Sequence, residues 1–165
     1  MNPYLSELVE RYQSKGVLVD TNLLLLLIIG SIDRDLVSVF KRTKKFTAED
    51  FDLLYKFLGL FKAIHTTPHV LTEVGNLANA LRIEQKPLFA ESFRKIVQLF
   101  EEEHASFKLL SNKPEFVAYG LTDVSILDLA PGRTLILTDD FPLANYAQQQ
   151  KIDVLNFHHI RSYLL

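Results

Sequence analysis

Acidic residues follow short apolar runs at four points of this sequence, where strands of a parallel sheet would end and helices begin. These residues are Asp20, Glu73, Asp123 and the adjacent pair Asp139 and Asp140. Ligands of such sheets bind beyond the carboxyl ends of the strands, so we expect the acids to converge there. Carboxylates held close together repel one another unless they bind a cation, and hard oxygen ligands suit Mg²⁺ or Mn²⁺. The spacing therefore predicts a divalent-metal site, which can hydrolyse a phosphodiester by lowering the pKa of a water ligand.

Each of these residues also has an ordinary structural interpretation. Asp and Asn side chains accept hydrogen bonds from the free N–H groups at the start of a helix. A single Glu on a helix, such as Glu73, is typical of a solvated helix face. N-capping is the alternative for Asp20, Asn22, Asp123 and for Asp139 or Asp140.

Other catalytic motifs do not fit the sequence. No two of the six glycines lie within ten residues of one another, which excludes a Walker loop and a dinucleotide-binding fingerprint. The chain has no cysteine, so it has no thiolate zinc site. His65 and His69 lie on either side of Pro68 and are not expected to share a helix face.

The elements that must position the acids alternate between short strands and helices. A helix over residues 4–14 precedes the first strand, and Thr47 with Asp50 resembles a capping box. Strands are predicted over residues 17–19, 63–66, 107–110, 134–137 and 154–157, and helices are predicted from Pro87 to about Glu103 and from Thr122 onward. This alternation predicts an α/β fold in which a parallel sheet is covered by helices on both faces. A length of 165 residues fits a single domain.

The composition limits the partners and the location of the protein. A formal net charge of −2 gives no global attraction to nucleic acid, so the best local basic segment is Lys41, Arg42, Lys44 and Lys45. This segment would neutralise phosphates of an RNA, or it is a solvated loop. The longest apolar run, residues 23–29, is far shorter than the roughly 20 residues of a membrane-spanning helix. The lack of cysteine and of a signal peptide favours the cytoplasm.

Four motifs of the sequence resemble those of a known family. They are Val-Leu-Val-Asp-Thr-Asn at 17–22, Thr-Pro-His-Val-Leu-Thr-Glu-Val at 67–74, Leu-Thr-Asp-Val-Ser-Ile at 121–126 and Leu-Ile-Leu-Thr-Asp-Asp-Phe at 135–141. In their order and their strand-to-helix context they look like the acidic motifs of the PIN-domain nucleases, which include the VapC-type toxins. The resemblance implies a three-layer α/β/α fold and cleavage of single-stranded RNA with Mg²⁺ or Mn²⁺. It also implies a homodimer and, for a toxin, inhibition by a protein antitoxin.

The resemblance assigns roles residue by residue. Asp20, Glu73 and Asp123 would be catalytic and metal-binding acids. The family pattern of Thr, any residue, then Asp selects Asp140 as the fourth acid, with Asp139 as a neighbouring metal ligand. Asn22 and Thr138 would orient the metal ligands or a water molecule without binding the metal themselves. Residues 1–15 and an insert around 84–118 depart from a compact toxin. A catalytically weak PIN-like binding or assembly module and a metal-dependent phosphatase are the alternatives.

Overall fold

The computed structural model describes residues 3–164. Its helices and strands alternate along most of the chain. In order, they are α1 (Pro3–Tyr12), β1 (Val17–Val19), α2 (Thr21–Ile32), α3 (Leu36–Val39), α4 (Ala48–Leu58), β2 (Ile64–Thr66), α5 (Pro68–Ala78), a 3-10 turn (Ile83–Gln85), α6 (Lys86–Val97), β3 (Glu101–Glu102), α7 (Phe107–Leu110), α8 (Phe116–Leu129), β4 (Leu135–Thr138), α9 (Phe141–Gln149), β5 (Val154–Asn156) and α10 (Phe157–Leu164).

The five strands form one sheet with the order β3-β2-β1-β4-β5, and every neighbouring pair is parallel. Strand β1 lies at the centre, with β2 and β4 on its two sides. Helices flank the sheet, which confirms the predicted α/β class with a central parallel sheet. Because all strands point the same way, the loops that follow β1, β2, β4 and β5 open at one edge. We call this the carboxyl edge.

The core is built around β1 and α2. All three residues of β1 are fully buried, as expected for the central strand of a parallel sheet covered on both faces. Residues 23–29 of α2 are buried, because α3, α4, α5 and α6 surround this helix. The apolar face of α1 joins the same cluster. In the described part of the chain, no helix is long and apolar enough to cross a membrane.

Some predicted element boundaries are wrong. Residues 107–110 form the short helix α7 and not a strand, because a run of four apolar or long side chains does not distinguish the two. The third strand is instead Glu101–Glu102, an exposed edge pair without an apolar signal. Helix α6 ends at Val97, short of the predicted Glu103. The capping box is confirmed, since Thr47 and Asp50 exchange both of its hydrogen bonds.

Gly16, just before β1, lies where the backbone passes close to another side chain. Its φ of 103° is in the left-handed region. A Cβ atom there would lie 2.5 Å from Nε2 of His65 and 2.7 Å from the carbonyl oxygen of Ala63. The ring of His65 cannot retreat easily, because Nε2 lies 2.9 Å from the Lys15 carbonyl oxygen and Nδ1 lies 3.1 Å from a carboxylate oxygen of Glu103.

We therefore expect Gly16→Ala to destabilise the protein by about 2–4 kcal/mol, through backbone strain and overpacking together. Gly132→Ala is the matched control, because Gly132 also has a positive φ, of 70°, but nothing lies within 4 Å of its Cβ position. The control should lose only about 1–2 kcal/mol. Chemical denaturation of the three proteins measures this difference, and equal losses would contradict the close approach at Gly16.

Candidate functional site

The carboxylate of Asp20 joins the ends of the two neighbouring strands β1 and β4. Its Oδ1 atom accepts a hydrogen bond from the backbone N–H of Leu23 at 2.9 Å, which caps helix α2. Its Oδ2 atom accepts one from the Thr138 hydroxyl and one from the backbone N–H of Asp139 at 3.0 Å. A carboxylate has about four acceptor positions, so three donors leave one of them for a further ligand.

The pKa of Asp20 is raised from its ordinary 3.8 to about 7. The largest cause is burial, since only 5% of this residue is exposed, and the negative charge of Asp139 acts in the same direction. The hydrogen bonds from Thr138, Leu23 and Asp139 act in the opposite direction, because they favour the ionised form. A cation bound beside Asp20 would also favour the ionised carboxylate.

Asp139 is a buried residue whose two carboxylate oxygens are both engaged. Asn22 donates from Nδ2 to Oδ1 at 3.0 Å, and the Lys45 ammonium forms an ion pair with Oδ2. The same ammonium lies 5.1 Å from the centre of the Phe46 ring. Lys45 thus pairs with Asp139 and attaches residues 41–45, which we call the basic turn, to the end of β4. This pairing disfavours Asp139 as a principal metal ligand.

Asp140 begins helix α9 as its N-cap. Its Oδ1 atom accepts a hydrogen bond from the backbone N–H of Leu143 at 2.8 Å. Its own backbone N–H donates to the Thr138 hydroxyl oxygen at 2.9 Å, and that hydroxyl donates to Asp20. Thr138 therefore fixes Asp20 and Asp140 relative to each other, which is a positioning role of the kind that the sequence predicts.

Asp123 lies on α8, three residues after Gly120, whose φ of 77° and ψ of 179° interrupt the helix. Burial, and then the negative charges of Asp140 and Glu73, raise the pKa of Asp123 to about 7. Glu73 is held at this place by the Thr21 hydroxyl, which donates to its Oε2 atom at 3.2 Å. The carboxylates of α5, α8 and the β4–α9 loop are thus close enough to repel one another.

The acids at this edge match a hard divalent cation only in charge and in atom type, and not in their arrangement. No positive charge among the described residues offsets the rise in the pKa of Asp123. Oxygen ligands with uncompensated negative charge are those that Mg²⁺ and Mn²⁺ favour. As placed, no group of three or more acidic or histidine side chains within residues 3–164 forms a ready metal site.

The capping interpretation applies to part of the predicted set. Asp20 and Asp140 are N-caps with side-chain hydrogen bonds, whereas Asn22 and Asp123 lie inside helices. Capping and ligand binding are compatible, because each capping bond uses one of several acceptor positions. The predicted acids at the carboxyl edge therefore interact in two groups: Asp139 acts on Asp20, whereas Asp140 and Glu73 act on Asp123.

Two of the contacts that hold the site were not predicted from the sequence. The hydrogen bond from the Thr21 hydroxyl to Glu73 was not expected, and it joins residues 52 positions apart in the sequence. Lys45 was expected to bind RNA, and it pairs with Asp139 instead of lying free. Lys41, Arg42 and Lys44 are exposed on the same turn.

Comparison of the chain with models of known protein families gives no match, and comparison with curated proteins gives none either. The four motifs that resemble those of PIN-domain nucleases thus stand as a resemblance.

We expect Asp123 to lower the stability of the metal-free protein as the pH rises from about 4 to about 7. The pKa of Asp123 is raised from its ordinary 3.8 to about 7, so in this range the folded state holds a proton that the unfolded chain has lost. Asp20 shifts in the same direction. Asp123→Asn should therefore flatten the pH dependence and raise the unfolding temperature at pH 7, in EDTA, by on the order of 5 °C.

Thermal melts of the parent and of Asp123→Asn between pH 4 and 8 make this measurement. Asp35→Asn is the control, because Asp35 is exposed and makes no side-chain capping bond. It should leave the pH dependence unchanged. Equal slopes for the parent and Asp123→Asn would contradict the raised pKa assigned to Asp123.

Lys45 and Lys44 should differ in stability effect although they are neighbours. Lys45→Met removes the partner of a carboxylate whose side chain is 1% exposed, while the Lys45 side chain itself is 49% exposed. We expect a loss of about 1–3 kcal/mol, less than the breaking of a fully buried pair costs. Lys44→Met should change the free energy of unfolding by no more than about 0.5 kcal/mol. Urea denaturation of both variants tests this, and similar small effects would refute a structural role for Lys45.

Proposed function

We propose that this protein is a divalent-metal-dependent endoribonuclease that resembles the PIN-domain nucleases. One observation carries the proposal. The half-buried Asp123 carboxyl lies beside Asp140 and Glu73 at the carboxyl edge of a parallel sheet, and burial, then the negative charges of these two acids, raise its pKa to about 7. Such repulsion is unfavourable in the free protein, and clusters of this kind are typical of functional sites.

The residues of the chain divide into ligands and supports. Glu73, Asp123 and Asp140 would hold a Mg²⁺ or Mn²⁺ ion. Three donors fix the Asp20 carboxylate, and its remaining acceptor position would be a further ligand. When bound, such an ion makes a coordinated water more acidic and neutralises charge on the phosphate. Thr138 fixes Asp20 and Asp140, and Thr21 holds Glu73 by a hydrogen bond. Asn22 and Lys45 occupy the two carboxylate oxygens of Asp139.

The substrate class follows from charge and from the resemblance. A phosphodiester cannot approach a negative edge without a cation, so substrate binding and metal binding should be linked. The exposed cations Lys41, Arg42 and Lys44 lie on the turn that Lys45 attaches to this edge, where they can contact further phosphates. Cleavage of single-stranded RNA, a homodimer, an antitoxin and a cytoplasmic location are what the resemblance adds to this proposal.

A non-catalytic RNA-binding module is the second candidate. It is favoured by the arrangement of the acids, because within residues 3–164 no three of them form a ready metal site. It is also favoured by Asp20 and Asp140, which both serve as helix caps. Metal-dependent cleavage distinguishes the two candidates, since a binding module would retain RNA without cutting it.

The purified protein should cleave single-stranded RNA with Mn²⁺ or Mg²⁺ and stop when EDTA is added. Asp123→Asn should lower the rate by at least about 100-fold, since changes behind a metal site alone cost about 10- to 100-fold. Asp35→Asn, purified in the same way, should keep the parent rate and so excludes a contaminating nuclease. Cleavage that persists in EDTA, or in Asp123→Asn, would refute the metal mechanism.

Asp140→Asn should lower the rate far more than Asp139→Asn does. Both substitutions remove one charge, but only Asp140 acts on Asp123, while Asp139 is paired with Lys45. Asn can keep the capping bond to Leu143, so Asp140→Asn should still fold. Rates of single-stranded RNA cleavage at saturating Mn²⁺ provide the comparison. The reverse ranking would assign the fourth ligand to Asp139.

A further inference from the structure

An exposed aromatic surface adjoins the acids at the carboxyl edge. Phe141 follows Asp140 directly and is 48% exposed, whereas Leu143 on the same helix is 1% exposed. The Phe141 ring stacks on the His158 ring, with 5.1 Å between centroids and 11° between planes. The His159 ring meets Phe141 at 6.3 Å and 65°. We call these three residues the Phe141 stack.

The sheet places the Phe141 stack beside the proposed metal ligands. Strands β4 and β5 are paired, with Thr138 opposite Asn156 in register. Helix α9 follows β4 and carries Phe141, while α10 follows β5 and carries both histidines. The side chain of Asn156 accepts a hydrogen bond from the backbone N–H of His158 at 2.9 Å, which fixes the first turn of α10. The stack is therefore held by two adjacent strand ends.

The basic turn contacts the ends of the same two strands. Lys45 binds Asp139, and the neighbouring Phe46 ring packs edge-to-face on Phe157, with 6.3 Å between centroids. Phe157 directly precedes His158. The exposed cations of this turn are Lys41, Arg42 and Lys44.

We propose that the Phe141 stack is a platform for one unpaired base of a single-stranded RNA whose phosphate lies at the acids. This inference rests on the proposed function and assigns it a base-binding subsite. His158 covers Phe141 on one side, and the ring is otherwise half exposed, which leaves surface for a base. Every base has a π face, so the platform accepts many sequences. It selects against a duplex, because paired bases are not free to stack on a side chain.

Tryptophan fluorescence at position 141 reports the base itself. The chain has no tryptophan, so Phe141→Trp introduces a single reporter. It is placed in the otherwise unchanged protein, and the fluorescence is read in a stopped-flow instrument before cutting proceeds. A uridine oligonucleotide and an abasic oligonucleotide of the same length and charge are then added in Mg²⁺. We expect a strong loss of fluorescence with the first and little with the second.

Phe107→Trp in the same background is the matched control. Phe107 lies on α7, is 56% exposed and also contacts another ring, that of Phe116 at 6.3 Å. It should show no loss of fluorescence with either oligonucleotide. Equal responses at the two positions, equal responses to the two oligonucleotides, or no response at position 141 would each overturn the platform.

Binding of a labelled uridine oligonucleotide separates stacking from a purely structural role of the ring. Phe141→Ala should weaken binding about tenfold, the scale of one lost stacking contact, and Phe141→Tyr should restore it. The abasic oligonucleotide should bind the parent and both variants alike. A Phe141→Tyr protein that binds as weakly as Phe141→Ala would contradict stacking.

Failure of the platform and failure of the nuclease are distinguishable in these experiments. Base-dependent quenching at position 141 in a protein that never cleaves RNA would keep the platform and refute the nuclease. Metal-dependent cleavage without base-dependent quenching would keep the nuclease and refute the platform.

Discussion

The burial of one carboxylate between two strand ends is the constraint on which the site depends. Asp20 accepts hydrogen bonds from the start of α2, from the hydroxyl at the end of β4 and from the backbone beyond it. These bonds fix where the chain leaves β1 and where it leaves β4. Since Thr138 also accepts from the backbone of Asp140, the position of the fourth acid is set by the same contact.

This arrangement stabilises the fold locally while it concentrates negative charge. The charge of Asp139 is offset by Lys45, whereas no cation among the described residues offsets the charges around Asp123. Repulsion destabilises such an edge, and under the proposed function a bound cation would stabilise it through mass action on the folded state.

Much of the fold could be predicted from the sequence, because apolar strands and capped helices leave strong local signals. The strands that position the acids, near residues 17–19, 64–66 and 135–138, follow from their apolar runs. The two-residue strand Glu101–Glu102 could not be predicted, since an exposed edge pair needs no apolar residues. Residues 107–110 were assigned the wrong type because so short a run fits a helix turn equally well.

The acids of the candidate site could be predicted individually, but their partners could not. A sequence shows that Asp139 and Asp140 are adjacent, yet only the fold shows that one faces Lys45 and the other faces Asp123. Lys45 lies 94 positions from Asp139, and no local pattern links the two. The stack of Phe141 on His158 likewise depends on the pairing of β4 with β5, which brings two helix starts together.

Calorimetric titration with Mn²⁺ tests the central claim most directly, because it measures cation binding without reference to any substrate. The parent should bind Mn²⁺ at neutral pH with a saturable heat. Asp123→Asn should bind far more weakly, while Asp35→Asn, changed on an exposed loop, should match the parent. A parent that gives no binding heat, or an Asp123→Asn protein that binds as the parent does, would contradict a cation site at the carboxyl edge.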